Sequence, residues 1–479
     1  MLRDPGWRAV SYAVSGEGPP LVTSATWLTR ARTHHRARQT LHLSGIGRPR
    51  AGCQRFMEEN MRASMIHTMS RSIAAAFIGV SLAVAIPASA RAIVITDWDQ
   101  KAIDIVAPRM PSPQAQRIVA TMHAAMFDAV NSIERRYQPY IAQLPASPAT
   151  SKDAAAAAAA TTVLVKLHPG AEGELRGALA SYLTKLPDTE GKSDGIKLGQ
   201  AVANKILEAR ANDSADAPDV YRPKTRPGVY VPTPITVAST WPNVTPFVLK
   251  SPSQFRPEPP VSLASEQWAV DYNEIKEFGG KASTRRSARQ TEDARFWLIT
   301  GPAAYHPVAR QLTASKKMDV MDSARFMALV AMAEADAYIA VMDGKYHYDF
   351  WRPITAIRNG DLTGNPAVSL DAGWQPIDNT PMHPEYPCAH CICGATLAAV
   401  VETLFDTADV PEVTMTSATA PDVTHRWTNL WALSTEVSEA RIWAGFHYRF
   451  STRVGIDMGR QIGEYVVKNV MQPVVMSSR

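Results

Sequence analysis

Three short segments in the C-terminal third of the chain concentrate basic and imidazole side chains. They cover residues 345–353, 387–390 and 441–447. A bound tetrahedral or trigonal-bipyramidal oxyanion needs charge-assisted donors, one nucleophilic or metal-ligating nitrogen and one acid–base group. Each residue alone would more often be a solvated cation or a structural histidine. The combination predicts an oxyanion pocket, whose members are Lys345, Arg352, His390, Arg441 and His447.

The spacing within two segments predicts how these side chains are held. Lys345 and Arg352 are seven residues apart, which on a helix returns to nearly the same face after two turns. Pro353 would end that helix. Arg441 and His447 are six residues apart and cannot share a helix face, so a break around Gly445 would have to bring them together.

In this order, the three segments resemble the three-part pattern of the vanadium haloperoxidase and type 2 phosphatidic acid phosphatase superfamily. The family pattern is K-x6-R-P, then P-S-G-H, then S-R-x5-H-x3-D, and the last third of this chain follows it closely. Residues 123–131 also look like the N-terminal helical part of bacterial members. The resemblance implies an all-α fold of two four-helix-bundle halves.

The resemblance also implies a role for each pocket residue. Lys345, Arg352 and Arg441 would donate to the oxygens of bound vanadate, or of phosphate in a phosphatase. His447 would ligate vanadium, or attack phosphorus and become phosphohistidine. His390 would be the acid–base group for peroxide or for a leaving alcohol.

Neighbouring residues complete the implied site. Cys388 and Ala389 occupy the positions of the family Ser and Gly, so the Cys388 side chain and the Ala389 backbone N–H would face the anion. His383 lies where bromide-oxidising members often carry His, and Trp351 is a further candidate for halide selection. The implied cofactor is vanadate, with hydrogen peroxide and halide as substrates; a phosphatase would take a phosphate ester instead.

Three positions depart from the family pattern. Cys388 replaces Ser, and a thiol is a weaker and longer donor than a hydroxyl. Ala440 replaces the Ser before Arg441, and Ser451 replaces the Asp four residues after His447. We therefore expect the carboxylate that orients this imidazole to be missing, which would harm phosphohistidine chemistry most and favours vanadate. A weakened or inactive pocket is the other outcome.

Three other functions compete with this interpretation. Cys388 and Cys391 form a C-x-x-C pair, which is typical of thiol–disulfide oxidoreductases, although no βαβ context surrounds it. Together with His383 and His390 they would also form a crowded zinc site. The third alternative is a non-catalytic secreted helical protein whose cations bind an acidic partner.

Cysteine usage excludes a disulfide framework. Of the four cysteines, Cys53 lies near the N-terminus, and Cys388, Cys391 and Cys393 lie within six residues. They cannot link distant parts of the chain. A local bond between Cys388 and Cys391 is compatible with an oxidising compartment.

Hydrophobic periodicity predicts a mainly helical domain over residues 93–479. Apolar residues recur at helical steps in several segments, and alternating strand patterns are scarce. The predicted helices cover residues 114–133, 154–167, 196–211, 262–279, 324–344, 395–405 and 454–470. Asp153 is the expected N-cap of the second, and Gly344 the expected C-cap of the fifth.

Prolines cluster between residues 217 and 260, which excludes long helices and central strands there. Long irregular segments in compact domains often cover functional sites. A surface connection between two helical halves explains the composition equally well.

Composition describes a soluble globular protein rather than a polytopic membrane protein. Of 479 residues, 46% are hydrophobic and 20% charged. The net charge of +5 comes from the Arg-rich residues 1–50. No basic stripe with interleaved aromatics recurs, so nucleic acid is not an expected partner. A homodimer stays open.

Residues 69–92 read as a secretory signal, with an apolar run and a small-residue cleavage site. The run is shorter than the roughly 20 residues that span a bilayer, so no permanent anchor is expected. We expect an exported protein, periplasmic or secreted, that begins near Arg91 or Ile93. Residues 1–68 are a doubtful leader, and Met61, Met65 and Met69 are candidate starts.

Overall fold

The computed structural model describes residues 93–232 and 235–474, so the predicted leader, the signal at 69–92 and Cys53 lie outside the described residues. The described part of the chain folds into α-helices and one antiparallel β-hairpin, which confirms the predicted all-α class. The helices are α1 Ile93–Val106, α2 Ser112–Glu134, α3 Lys152–Leu167, α4 Glu172–Leu183, α5 Glu190–Ala209, α6 Glu266–Phe278, α7 Ala288–Phe296, α8 Pro302–Ser315, α9 Val320–Tyr348, α10 Pro353–Arg358, α11 Ala389–Phe405, α12 Leu430–Trp443 and α13 Arg449–Asn469. The strands are β1 Asp409–Ser417 and β2 Ala420–Asn429.

Helix α9 lies at the centre of the molecule. Every residue from Phe326 to Lys345 is buried, because α9 packs against α2 on one side and against α11 and α13 on the other. Helices α2, α3 and α5 form one group, and α11, α12 and α13 form the other. A continuous hydrophobic core runs through both groups, so the two expected bundles share α9.

Helices α11 and α13 approach each other closely through a row of glycines on α13. A Cβ atom added at Gly455, Gly459 or Gly463 would come within 2.8 Å of an atom of α11 or of its N-cap residue Cys388. Real Cβ contacts are longer, so no larger residue fits at these positions without moving a helix. This packing fixes the N-terminal end of α11, where Cys388, Ala389 and His390 lie, against the first turns of α13.

Two predicted helix caps are wrong. Helix α9 continues past Gly344 to Tyr348 and ends at Asp349, which adopts the left-handed conformation with φ of 52°. Gly344 instead allows a close approach, because an added Cβ would lie 2.9 Å from the Pro387 side chain. Helix α3 is capped by Ser151, whose hydroxyl accepts from the backbone N–H of Ala154, rather than by Asp153.

The described residues of the proline-rich stretch, 217–232 and 235–260, form no α-helix or strand, as predicted. Its backbone N–H groups at Phe247, Val248 and Leu249 donate to the Asp336 carboxylate of α9 over 2.6–2.9 Å. Further along, Tyr230 donates its backbone N–H to the carbonyl of Asp349. The stretch is therefore fastened along α9.

No described helix combines the length and apolarity needed to cross a membrane.

Candidate active site

Lys345 lies in the last turn of α9 and is fully buried. Its ammonium group donates to the carbonyl oxygens of Pro384 (3.0 Å), Glu385 (2.8 Å) and Pro387. An ammonium group has three hydrogens, so these carbonyls account for all of its donors. Lys345 thus supports the backbone before α11 and adds positive charge beneath it.

Arg352 does not share a helix with Lys345, so the predicted common helix face is wrong. The left-handed Asp349 ends α9, and Arg352 follows in extended conformation as the N-cap of α10. Its guanidinium group donates to the carbonyls of His383 and Phe446, both at 2.9 Å. It also reaches one ring nitrogen each of His383 (Nδ1, 3.0 Å) and His447 (Nε2, 3.3 Å).

Arg441 lies near the end of α12, and Gly445 makes the predicted break after it. Gly445 has φ of +79°, a conformation that glycine adopts without strain, and His447 follows before α13 begins. Arg441 donates one N–H to the carbonyl of Trp297 at 2.6 Å. Its Nε is buried without an acceptor in the described part of the chain, which leaves this guanidinium group the most available donor of the site.

Positive charge exceeds negative charge in this region, because the Glu385 carboxylate offsets only part of the charge of Lys345 and Arg352. Lys345, Arg352 and Arg441 are each at most 1% exposed, and none forms an ion pair within the described residues. Burial lowers the pKa of Arg352 to about 10 and that of Arg441 to about 9, and it holds the pKa of Lys345 well below its usual value. Burying a charge without a counter-charge costs free energy, so this arrangement favours the binding of an anion.

His447 is held by a carboxylate that the sequence interpretation did not assign. Its Nδ1 lies 2.8 Å from Oε1 of Glu385, and the same oxygen accepts the backbone N–H of Tyr448 at 3.1 Å. The expectation that this carboxylate is missing is therefore wrong: Glu385 supplies it from the segment before α11. Burial and then the charge of Arg352 lower the pKa of His447, so the ring is neutral, with hydrogen on Nδ1 and a lone pair on Nε2.

His390 and His383 complete the imidazole set. His390 lies in the first turn of α11, and its Nε2 donates to the carbonyl of Ile299 at 3.1 Å, which leaves the lone pair on Nδ1. His383 accepts from Arg352 at Nδ1. Burial holds the pKa of both rings well below the usual value, so both are neutral at pH 7.

Cys388 is not a thiol donor. It forms a disulfide with Cys391, and its sulfur accepts the backbone N–H of Cys391 as the N-cap of α11. A disulfide sulfur has no hydrogen to give to an oxyanion, and it removes both thiolates from the zinc site weighed above. The backbone N–H groups of Ala389 and His390 begin α11 and have no acceptor within the helix, so they are the donors at this position.

A cavity of about 300 Å³ brings four of the predicted residues together. Its lining includes His383, His390, Arg441 and His447. Trp351 does not line it: this indole is 2% exposed and stacks on Trp268 in an aromatic cluster. None of the described residues of the proline-rich stretch, 217–232 and 235–260, lines this cavity.

The loop after α7 is a second element that the sequence interpretation missed. The carbonyls of Trp297 and Ile299 orient Arg441 and His390 respectively. No residue type in the sequence identifies a loop whose backbone carbonyls accept these hydrogen bonds. Glu385, in contrast, is visible in the sequence as the one acidic residue between His383 and His390.

A separate histidine and carboxylate cluster lies in the other helical group. Asp99 Oδ1 lies 2.8 Å from His123 and 2.6 Å from His306, and Arg310 holds its second oxygen. Ligand atoms around a tetrahedral metal ion lie about 3.3 Å apart. The shorter distances describe hydrogen bonds, and the cluster is a buried ion-pair network that joins α1, α2 and α8.

Comparison with known proteins gives consistent results. Residues 325–475 match the family model described as the VCPO second helical-bundle domain. Vanadium chloroperoxidase of Curvularia inaequalis is 29% identical over 150 residues, which are 26% of this chain and 24% of that protein. The match thus spans about a quarter of the length of that relative.

Solved structures share the fold over most of the chain. The crystal structure of the first bacterial vanadium-dependent iodoperoxidase matches with a TM-score of 0.69 and 22% identity, over 80% of this chain and 97% of that one. The holo-type bacterial vanadium-dependent chloroperoxidase matches with a TM-score of 0.62 and 17% identity, over 77% and 95%. At these identities the likeness concerns the fold.

Proposed function

Residues 325–475 belong to the vanadium haloperoxidase superfamily, and from this premise we propose that the protein is a vanadate-dependent enzyme that oxidises halide with hydrogen peroxide. The observation that carries the proposal is the charge of the pocket. Lys345, Arg352 and Arg441 are buried together without ion pairs in the described residues, beside the neutral ring of His447. Such a site favours an oxyanion that also accepts a nitrogen ligand.

The residues present fit vanadate. Arg441 offers a buried Nε that has no acceptor in the described residues. Arg441, Arg352 and the first N–H groups of α11 would hold the oxygens, and His447 Nε2 would be the metal ligand. Lys345 would contribute charge and hold the backbone of residues 384–387 rather than donate directly.

Bound vanadate would supply the Lewis acidity that activates peroxide toward halide. The chain's own residues bind, orient and move protons around it. His390 lines the cavity with a free lone pair on Nδ1, so it can take a proton from peroxide. Glu385 fixes the tautomer of His447 that leaves Nε2 free.

An acid phosphatase is the second candidate function, and Glu385 is the observation that favours it. A phosphohistidine mechanism needs a carboxylate behind the nucleophilic imidazole. The sequence had suggested that this group was absent, but Glu385 lies 2.8 Å from His447 Nδ1. The similarity to a vanadium chloroperoxidase supports the peroxidase instead.

The remaining alternatives lose their structural support. Cys388 and Cys391 are both fully buried in a helical fold, which leaves no exposed sulfur for thiol–disulfide exchange. The cations lie inside the molecule rather than on a surface that could dock an acidic protein. Export through the signal at residues 69–92 stays part of the proposal, and N-terminal sequencing of protein recovered outside the cytoplasm would check it.

Parallel assays of the purified protein test the function. Protein made from Met69 is assayed with vanadate, peroxide and iodide, bromide or chloride, and separately with p-nitrophenyl phosphate. We expect vanadate-dependent halide oxidation that is lost in His447→Ala. Phosphatase activity that vanadate inhibits, without halide oxidation, would replace the proposal with the second candidate.

A further inference from the structure

We propose that Glu385 is the positioning residue for His447 and takes over the task of the Asp that the family pattern places four residues after this histidine. The proposal rests on the proposed function, because it concerns the imidazole that would ligate vanadate. The Glu385 carboxylate belongs to a different segment of the chain from position 451. It is delivered by the segment before α11 instead of by the first turn of α13.

The geometry around Glu385 leaves one role for its Oε1. This oxygen is 2.8 Å from His447 Nδ1 and also accepts the backbone N–H of Tyr448, so it acts as an acceptor and Nδ1 carries the hydrogen. On the other side of the ring, Arg352 donates toward Nε2, which therefore accepts. Two independent contacts thus select the same tautomer.

Glu385 is itself held in place from several directions. Its backbone carbonyl accepts from Lys345, and its backbone N–H donates to the carbonyl of Phe350 at 2.9 Å. The side chain is completely buried. Burial and the fixed backbone restrict where this carboxylate can lie, which is what a positioning group requires.

Ser451 is compatible with a carboxylate at position 385 instead of position 451. It is fully buried in the first turn of α13 beside Glu385, and neither Ser451 Oγ nor Glu385 Oε2 has a hydrogen-bond partner in the described residues. Burial raises the pKa of Glu385 to about 7, and the nearby Ser451 hydroxyl acts in the opposite direction. An Asp at 451 would bring a second carboxylate into the same buried space, where two like charges repel. A small hydroxyl at 451 and a carboxylate at 385 are therefore complementary.

A purely structural role is the competing explanation, because Glu385 Oε1 also accepts the backbone N–H of Tyr448. That hydrogen bond helps to start α13 whatever His447 does. Variants that place a carboxylate near His447 without restoring the hydrogen bond to Tyr448 distinguish orientation of His447 from support of α13. Ser451 provides the position from which to do so.

The test compares Glu385→Ala, Glu385→Gln and the double variant Glu385→Ala with Ser451→Asp. Loss of an outer-shell partner typically costs 10- to 100-fold in metal affinity or activity. We expect Glu385→Ala to weaken vanadate binding by about that factor. Glu385→Gln keeps an acceptor oxygen without charge, so its vanadate affinity should lie between those of the wild type and Glu385→Ala. The double variant should bind vanadate at least about tenfold more tightly than Glu385→Ala.

Asp271 provides the matched control. It is a buried carboxylate that accepts the backbone N–H of Phe450 at 2.7 Å, so it supports the start of α13 without touching His447. Asp271→Asn should lower stability toward urea while it leaves vanadate affinity unchanged. A Glu385→Ala protein that binds vanadate like the wild type would overturn the proposal, and so would a double variant that recovers nothing.

A measurement without vanadate separates this proposal from the proposed function. The hydrogen-bonded Nδ1–H of His447 should give a downfield proton resonance in ¹⁵N-histidine-labelled protein, absent in both His447→Ala and Glu385→Ala. If that resonance is present in wild-type protein that binds no vanadate, the function is wrong and the positioning stands. If vanadate binds and the resonance survives Glu385→Ala, the positioning is wrong and the function stands.

Discussion

Replacing Arg441 with Met should separate anion binding from folding. In wild-type protein, vanadate at a hundredfold excess over its dissociation constant adds about 2.7 kcal/mol of stability. For about 380 ordered residues the entropy of unfolding is about 0.8 kcal/mol per kelvin, so Tm should rise by about 3 °C. The variant loses at least two charge-assisted hydrogen bonds to the anion, worth about 3–6 kcal/mol together. Its dissociation constant should therefore rise at least about 100-fold, and the Tm shift should fall below about 0.5 °C.

The same substitution should cost little stability in the absence of vanadate. Burial lowers the pKa of Arg441 to about 9, so holding the charge inside costs of order 4 kcal/mol. Met removes that cost and loses one hydrogen bond to the Trp297 carbonyl, worth about 1–3 kcal/mol. The anion-free variant should be at least as stable as the wild type.

Arg449 is the control for the Arg441 experiment, and differential scanning fluorimetry with and without vanadate is the assay. Arg449 lies two residues after His447 but is paired with Glu274 and Glu439. Arg449→Met should lower the anion-free Tm and keep the vanadate shift. An Arg441→Met protein that keeps the full shift would refute the charge argument.

Two further outcomes follow from the structure. Cys388→Ser combined with Cys391→Ala opens a four-residue disulfide loop and should lower the free energy of unfolding, measured in urea, by about 2 kcal/mol. Halide oxidation should persist, because the backbone N–H groups at the start of α11 remain. Loss of this activity in a folded variant would contradict the prediction. Burial raises the pKa of Asp336 to about 6, so its contribution to the free energy of unfolding is present below pH 4 and is lost as the pH rises through 6. Asp336→Asn should remove about 3 kcal/mol of this pH dependence, measured by urea titration at several pH values. An unchanged dependence of the free energy of unfolding on pH would contradict this prediction.

The sequence was most informative where local chemistry decides the structure. Helical periodicity located the ends of α2, α3, α5, α9 and α13 to within six residues, and the φ of Gly445 confirms the break needed between Arg441 and His447. The ordered cationic motifs converge on one region because α9, α11 and α12 all end or begin there.

Features that depend on the tertiary structure escaped prediction. Gly344 looked like a helix end, but its missing side chain is required by Pro387, which is 43 residues away in sequence. Position 451 alone suggested an unsupported histidine, because nothing local shows that Glu385 approaches from another segment. The carbonyls of Trp297 and Ile299 carry no side-chain signal at all.

Equilibrium dialysis against vanadate tests the central claim most directly. Wild-type protein made from Met69 and its His447→Ala variant are dialysed against the same vanadate concentrations, and bound vanadium is measured by elemental analysis. A neutral Nε2 within a cluster of unpaired cations predicts one vanadium per chain in the wild type and at least a 100-fold weaker affinity in the variant, since a ligating bond is lost. Equal binding by the two proteins, or no binding by either, would contradict the account.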